Sequence, residues 1–218
     1  MELNTYPLVC TRGVVLYPNQ EIVIDVGRDT SVHAVENAQD NYDKKICLFS
    51  QKELEQENPG KEDIYSVGTL CEVRHIRRFD NFLRVKFRGI KRVKLNNWIN
   101  GSLSDLAEVE ILESEKQDAV EEEALIRMIA DELDRMQGQD RFVTKEIVME
   151  ISKGMGGEFL SDKAVQGLPL ELERKQQYLE TLGVNDRLMM LLQDMAKEKK
   201  MSEVEQQINE TVDRKSTR

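Results

Sequence analysis

The hydrophobic positions of this chain change their period near residue 113. Before it, short apolar runs alternate with polar residues, as in strands with one better-buried face. After it, apolar residues recur every three or four positions, as on amphipathic helices. Leu8-Val9-Cys10 and Val14 to Tyr17 read as two short strands, and Pro18-Asn19 turns the chain. Ile22, Ile24 and Val26 alternate with Glu21, Val23 and Asp25 up to Gly27. Asp29, Thr30 or Ser31 can cap a helix reaching about Gln39, with Val32 and Val35 turned inward. Ile46 to Phe49 predicts the next strand, and the polar stretch Gln51 to Asp63, with Pro59-Gly60, an exposed loop. Gly68 to Arg78 and Leu83 to Arg88 predict a strand pair around the turn Phe79-Asp80-Asn81, ended by Gly89. Val93 and Leu95 resume the pattern, and Ala107, Val109 and Ile111 give a last strand. Short strands with one helix suggest a strongly bent sheet or a small barrel.

In the second part, Val120, Leu125, Met128, Ile129, Leu133 and Met136 trace a helix closed by Gly138. Thr144 can cap a helix holding Ile147, Val148 and Ile151; Phe159, Leu160, Ala164 and Val165 mark another, stopped by Gly167 and Pro169. Leu172 to Leu182 is a further helix, ended by Gly183. The last and longest is capped by Asn185 or Asp186 and carries a narrow stripe of Leu188, Leu192, Met195, Met201, Val204, Ile208 and Val212. It runs nearly to Arg218 without a stop signal, so the expectation is a continuation or a partner chain. The fold class is α+β: a β-rich lobe over residues 1–112, a helical bundle over 113–184, and a long helix over 185–218.

Charge changes this picture. The net charge is -10, of which residues 1–110 carry about -2 and residues 111–218 about -8. An acidic chain repels nucleic-acid phosphate at long range. Against that average stands a basic hairpin over residues 74–94, with Arg74, Arg77, Arg78, Arg84, Lys86, Arg88, Lys91, Arg92 and Lys94. It offers an alternative reading as a nucleic-acid-binding ribbon, with Phe79 and Phe82 as stacking groups, for DNA or RNA. The bland reading of the same residues is an edge protected by charge. No stretch is apolar for the roughly 18 residues that a membrane span needs, and the amino terminus lacks a secretory signal pattern. Cys10, Cys47 and Cys71 are isolated thiols that read as small buried hydrophobes in a reducing, cytoplasmic setting.

Candidate chemistry is sparse. Lys153-Gly154-Met155-Gly156-Gly157 lacks the lysine and hydroxyl that a phosphate-cradling loop needs after its last glycine. No serine sits in a recognisable nucleophile elbow, and no Cys/His spacing suits a metal. All methionines but Met1 lie after residue 127, and Met189, Met190, Met195 and Met201 cluster on the last helix. A methionine surface repacks around unlike partners, so these four are the candidate contacts for polypeptide; ordinary helix core is the competing reading.

Several residues carry a resemblance. Pro7-Leu8, Arg12, Pro18, Gly27-Arg28, Ser31 and Ala34 resemble the opening of Lon proteases of the LonA type. Val67-Gly68-Thr69, Arg84-Val85, Gly89 and Arg92 are similar to a strand region of that family. Leu168-Pro169, Lys175-Gln176, Leu179-Glu180 and Arg187-Leu188 look like its helical subdomain. The resemblance implies the amino-terminal domain of an ATP-dependent serine protease, truncated before its ATPase module, with a PUA-like lobe followed by helices. It implies hexamers that degrade misfolded or tagged proteins. It places the ATP and Mg sites and the Ser-Lys dyad carboxy-terminal to this region, so this piece has no cofactor and no catalytic residue. The motif positions Pro7, Arg12, Pro18, Gly27, Arg28, Gly68, Thr69, Gly89 and Arg92 are expected to be structural. The implied task is capture of unfolded or tagged substrate and support of assembly with the chain's own ATPase and protease modules.

Overall fold

A computed structural model describes residues 3–136, 149–150 and 153–216, with side chains left aside at 136, 206 and 209–216. Thr144, Ile147, Val148, Ile151, Gly138 and the side chain of Val212 fall outside the described set. The chain divides into two compact units. One comprises residues 1–115 together with 168–182, and the other residues 116–167 together with 183–218.

The first unit is built on strands β1 (Leu3–Thr11), β2 (Glu21–Val26), β3 (Lys45–Ser50), β4 (Val67–Arg78), β5 (Leu83–Ile99) and β6 (Leu106–Leu112). They hydrogen-bond in the order β2-β5-β4-β3-β1-β6, and β6 also pairs with β5. That extra pairing closes β1, β3, β4, β5 and β6 into a barrel, so the sheet expected from the sequence does curl up completely. β2 lies outside the ring, on β5 alone among the described strands.

Two strands change partner along their length, and this is how the ring closes. β1 pairs antiparallel with β6 through Leu3–Pro7, then parallel with β3 through Leu8–Thr11. Pro7 sits at the change, where its missing N–H costs the ladder least, and the next amide, Leu8, donates to the Asp105 carbonyl at 3.1 Å. β5 pairs with β2 over Leu83–Arg88 and with β6 over Arg92–Ile99. Gly89 lies between these halves. The sequence suggested that it ends a strand, but β5 continues through it for 17 residues and bends instead. A bulge at Ile90, opposite Leu70 and Cys71, takes up the bend.

Apolar residues fill both faces of the central strands. Leu8, Cys47, Phe49, Leu70, Val93, Leu95, Ala107 and Val109 form one cluster inside the ring. Val9, Ile46, Leu48, Cys71, Val73, Val85 and Phe87 form another, covered by Ala34, Val35 and Ala38 of helix α1 (Asp29–Asn41). Burial on two sides explains why β3 reads as a continuous apolar run rather than an alternation. Arg28 rather than Asp29, Thr30 or Ser31 is the N-cap of α1, and it makes no side-chain cap bond.

Val14 to Tyr17 was expected to be a strand and is not one. These residues are largely buried but satisfy their carbonyls through side-chain hydroxyls: Thr11 and Ser50 donate to Val14 O at 2.8 and 2.6 Å, and Thr69 donates to Leu16 O. A buried backbone needs partners, and a ladder is only one source of them. The run ends in a turn in which Gln20 N donates to Tyr17 O at 3.2 Å. Pro18 and Asn19 (φ 61°) stand at its centre, as a type II turn requires.

The first unit is completed by helix α4 (Leu172–Glu180). The sequence reading grouped this helix with the bundle; it packs with the barrel strands instead, as the site geometry below explains. The second unit contains α2 (Ala119–Met136), α3 (Gly157–Gly167) and α5 (Val184–Ser216). Its core is Leu125, Ile129 and Leu133 of α2, Leu160, Ala164 and Val165 of α3, and Val184, Leu188, Leu191 and Met195 of α5. The Asn185 side chain donates to Asp118 O at 2.9 Å and to Glu121 Oε2 at 2.8 Å, and Lys199 Nζ donates to Glu132 Oε1 at 2.9 Å. These two ties place α2 and α5 side by side and running in the same direction.

Candidate functional site

Most of the motif positions converge on one place within the first unit, the seat of α4. Tyr17 Oη donates to Lys175 O at 2.7 Å, Gln176 Nε2 donates to Val67 O at 2.8 Å, and Arg92 Nε donates to Leu179 O at 3.1 Å. Arg92 is 1% exposed although it lies in a strand whose neighbours Lys91 and Lys94 face solvent. Its charge sits against the carboxyl end of α4, where the helix dipole favours a cation. Gly68 and Gly89 are required by close approach. A Cβ at Gly68 would lie 2.4 Å from Leu48 O, and one at Gly89 2.1 Å from Tyr17 O. Pro18 holds the turn that presents Tyr17, and Thr69 fixes the carbonyl of Leu16. These residues hold the fold together.

Arg12 and Arg28 form a second group at the amino end of α1. Arg28 donates to the Cys10 carbonyl, the Gln51 side chain and the Gln56 carbonyl, and Arg12 donates to the same Gln56 carbonyl at 3.3 Å. Burial and the neighbouring Arg12 both pull the Arg28 pKa down. Gln51, read from the sequence as part of an exposed loop, is fully buried beneath this network. Arg28 and Arg12 line an open groove of about 320 Å³ with Val9, Cys10, Ile24 and Val26. Gly27 also lines it, yet neither its backbone angle nor its space demands glycine, since the nearest atom to a Cβ there would be at 3.7 Å.

The four methionines do not share one environment. Met195 is 1% exposed, inside the second unit's core, whereas Met189 and Met201 are 42% and 53% exposed. Met190 is intermediate. Beyond Lys199 the stripe of α5 comes to the surface at Met201, Val204 and Ile208. Arg187, quoted from the sequence only as part of the resemblance, is fully buried beside Asp162 (3.9 Å) and donates to Ser161 Oγ at 3.2 Å.

The basic hairpin is largely neutralised. Asp25 grips Arg84 at 2.7 and 2.8 Å, Glu21 meets Lys86 at 2.6 Å, Glu72 meets Arg74 at 3.0 Å, and Glu36 pairs with Arg78. Phe79 and Phe82 stack on each other at 4.7 Å, with Arg77 and Arg84 over the Phe79 ring at 5.1 and 5.3 Å. Those ring faces and charges are engaged within the protein, which leaves a weaker field for phosphate. Burial pushes the Cys10 thiol up to about 12 and raises those of Cys47 and Cys71 as well, which disfavours the thiolate at all three. Among the described residues no helix is long and apolar enough to cross a membrane, and no group of three or more His, Cys, Asp or Glu is placed to hold a metal ion.

Comparison with known proteins gives this architecture a family. The family model described as the ATP-dependent protease La (LON) substrate-binding domain matches residues 5–197. The chain is 30% identical over 213 residues to the Lon protease of Brevibacillus choshinensis, covering 97% of this chain and 27% of that protein. It is 33% identical over 212 residues to the Lon protease of Syntrophomonas wolfei, covering 95% and 26%. The chain thus spans about a quarter of the length of these relatives. Its fold is similar to the N-terminal domain of Mycobacterium avium complex Lon protease, with a TM-score of 0.72, 19% identity and coverage of 88% of this chain and 98% of that one. It is also similar to the Lon N-terminal domain protein from Xanthomonas campestris, with a TM-score of 0.61, 16% identity and coverage of 87% and 97%. On the match across residues 5–197, the chain belongs to the Lon family, as its amino-terminal substrate-binding domain.

Proposed function

We propose that this domain captures unfolded or degron-tagged polypeptide and supports assembly of an ATP-dependent protease whose cleavage chemistry lies in other modules. The observation that carries the reading is the family match over residues 5–197, because that family is defined by substrate binding. The exposed apolar side chains of Met189, Met201, Val204 and Ile208 support it. Unfolded chains expose apolar groups, and burying them yields roughly 25 cal/mol per Å², much of it offset by association costs. Single contacts are therefore weak, and a hexamer strengthens them by presenting several copies at once. In this reading ATP and Mg bind the ATPase module and the work is done in the cytoplasm.

The test is a titration of the 218-residue chain with a labelled small protein, once native and once reduced and carboxymethylated so that it stays unfolded. The expected result is micromolar or weaker binding of the unfolded form alone, little changed between low and high salt. Equal binding of both forms overturns the reading. A nucleic-acid ribbon predicts instead a duplex affinity that falls steeply with salt, and the ion pairs on the hairpin argue against it.

A further inference from the structure

The exposed edge of β2 offers backbone chemistry that the capture reading leaves unused. β2 pairs with β5 from Glu21↔Arg88 to Val26↔Leu83 and with no other described strand. Just before it, Gly89 N donates to Gln20 O at 2.9 Å. Antiparallel ladders alternate, so with the Gln20 carbonyl turned to β5, Ile22, Ile24 and Val26 point their amides and carbonyls at β5 as well. Glu21, Val23 and Asp25 then point theirs away from the sheet. Val23 is 55% exposed, and its neighbours Glu21 and Asp25 are exposed too. The acidic side chains beside it are occupied by Lys86 and Arg84 on the sheet face, so they do not guard the edge. Next to its carboxyl end the open groove of about 320 Å³ is lined by Val9, Cys10, Ile24 and Val26.

Unpaired N–H and C=O groups at strand spacing recognise one kind of partner, another extended backbone. We propose that β2 is the docking edge for an extended segment of unfolded polypeptide, which adds to the sheet beside Glu21–Asp25 and directs alternate apolar side chains into the groove beside Ile24. The inference rests on the substrate-capture reading and names its contact. Backbone bonds of this kind carry no sequence preference, and the groove sets the apolar side chains of Val9, Ile24 and Val26 beside the charged Arg12 and Arg28.

The probe is the same reduced and carboxymethylated protein, titrated against the 218-residue chain. Val23→Pro removes one outward amide and leaves the β2–β5 ladder intact, because proline is tolerated on an edge where the lost N–H faces solvent. Val23→Thr keeps the backbone and serves as the control. The expected result is at least a tenfold loss of binding in Val23→Pro and less than a twofold change in Val23→Thr. A second measurement uses the unaltered chain: amide exchange at Glu21, Val23 and Asp25 should slow on addition of the probe, and this decides the matter should the proline variant fail to fold. Unchanged binding by a folded Val23→Pro, or unchanged exchange at those amides while the probe is bound, overturns the β2 assignment and leaves capture by another face standing. Absence of any binding by the unaltered chain overturns the capture reading itself, and this inference with it.

Discussion

Arg92 and Leu179 lie 87 residues apart in sequence and are joined by a hydrogen bond of 3.1 Å, from a buried guanidinium to a helix carbonyl. A strand residue thereby anchors the carboxyl end of α4. Truncation in Arg92→Ala leaves the Leu179 carbonyl without this donor, which costs about 1–3 kcal/mol, and empties the space of a long side chain. Urea unfolding should register that loss. Arg92→Lys should restore only part of it, because an ammonium cannot reproduce the planar fork.

Tyr17 holds the same helix one turn in from its amino end. Tyr17→Phe deletes only the hydroxyl that donates to Lys175 O at 2.7 Å. The expected cost is about 0.5–1.5 kcal/mol, confined to the first unit. Amide exchange should quicken over residues 172–180 and stay unchanged over α2 and α3, a regional response that global unfolding would not give.

Gly89→Ala should be worse than either. The new methyl carbon would lie 2.1 Å from Tyr17 O, a backbone atom that cannot swing aside. Overpacking of this kind costs about 1–3 kcal/mol or more. Thermal unfolding should show a lower midpoint, with the β5 bend and the Tyr17–Gln20 turn disturbed together.

Acid should loosen the second unit through Glu132. The hydrogen bond from Lys199 holds its carboxyl below the usual value, helped by Lys199 and Arg135 charge and opposed by partial burial. A depressed folded pKa contributes stability that is present above the unfolded value of about 4.3 and lost as pH falls through the folded one. Glu132→Gln should therefore flatten the acid limb of the α2–α5 stability profile. At neutral pH it should cost only about 0.2–1 kcal/mol, the range of partly exposed ion pairs.

The thiols offer a simple check on both cores. With Cys10 at about 12 and Cys47 and Cys71 raised by full burial, thiolate is scarce at pH 8. An alkylating reagent should leave the native chain unmodified and label all three cysteines after denaturation.

The strand periods, the turn at Phe79-Asp80-Asn81 and the continuous apolar run of β3 were legible in the sequence, because local pattern alone specifies them. What packs against what was not. A helix stripe over Leu172 to Leu182 says that one face is buried; only the partners Val67, Arg92 and Tyr17 reveal that it belongs with the barrel. Val14 to Tyr17 looked like a strand because apolar content was visible, while two of the hydroxyls serving its carbonyls, those of Ser50 and Thr69, lie far away in sequence. Gln51, Arg92 and Arg187 are buried against the tendency of their type. The methionine stripe of α5 was visible too, but its pattern does not tell buried Met195 from exposed Met201.

The chain leaves the first unit at Glu115 and returns to it at Leu168. Folding of that unit during synthesis is consequently a waiting process. The opening strand finds its antiparallel neighbour only once residues near 106–110 exist, and the seat around Tyr17, Val67 and Arg92 stays vacant until α4 emerges. Such distant pairings slow folding. A nascent chain interrupted between these points would carry every barrel strand but not the helix that fills this seat, and α2 and α3 must be made before the first unit is complete.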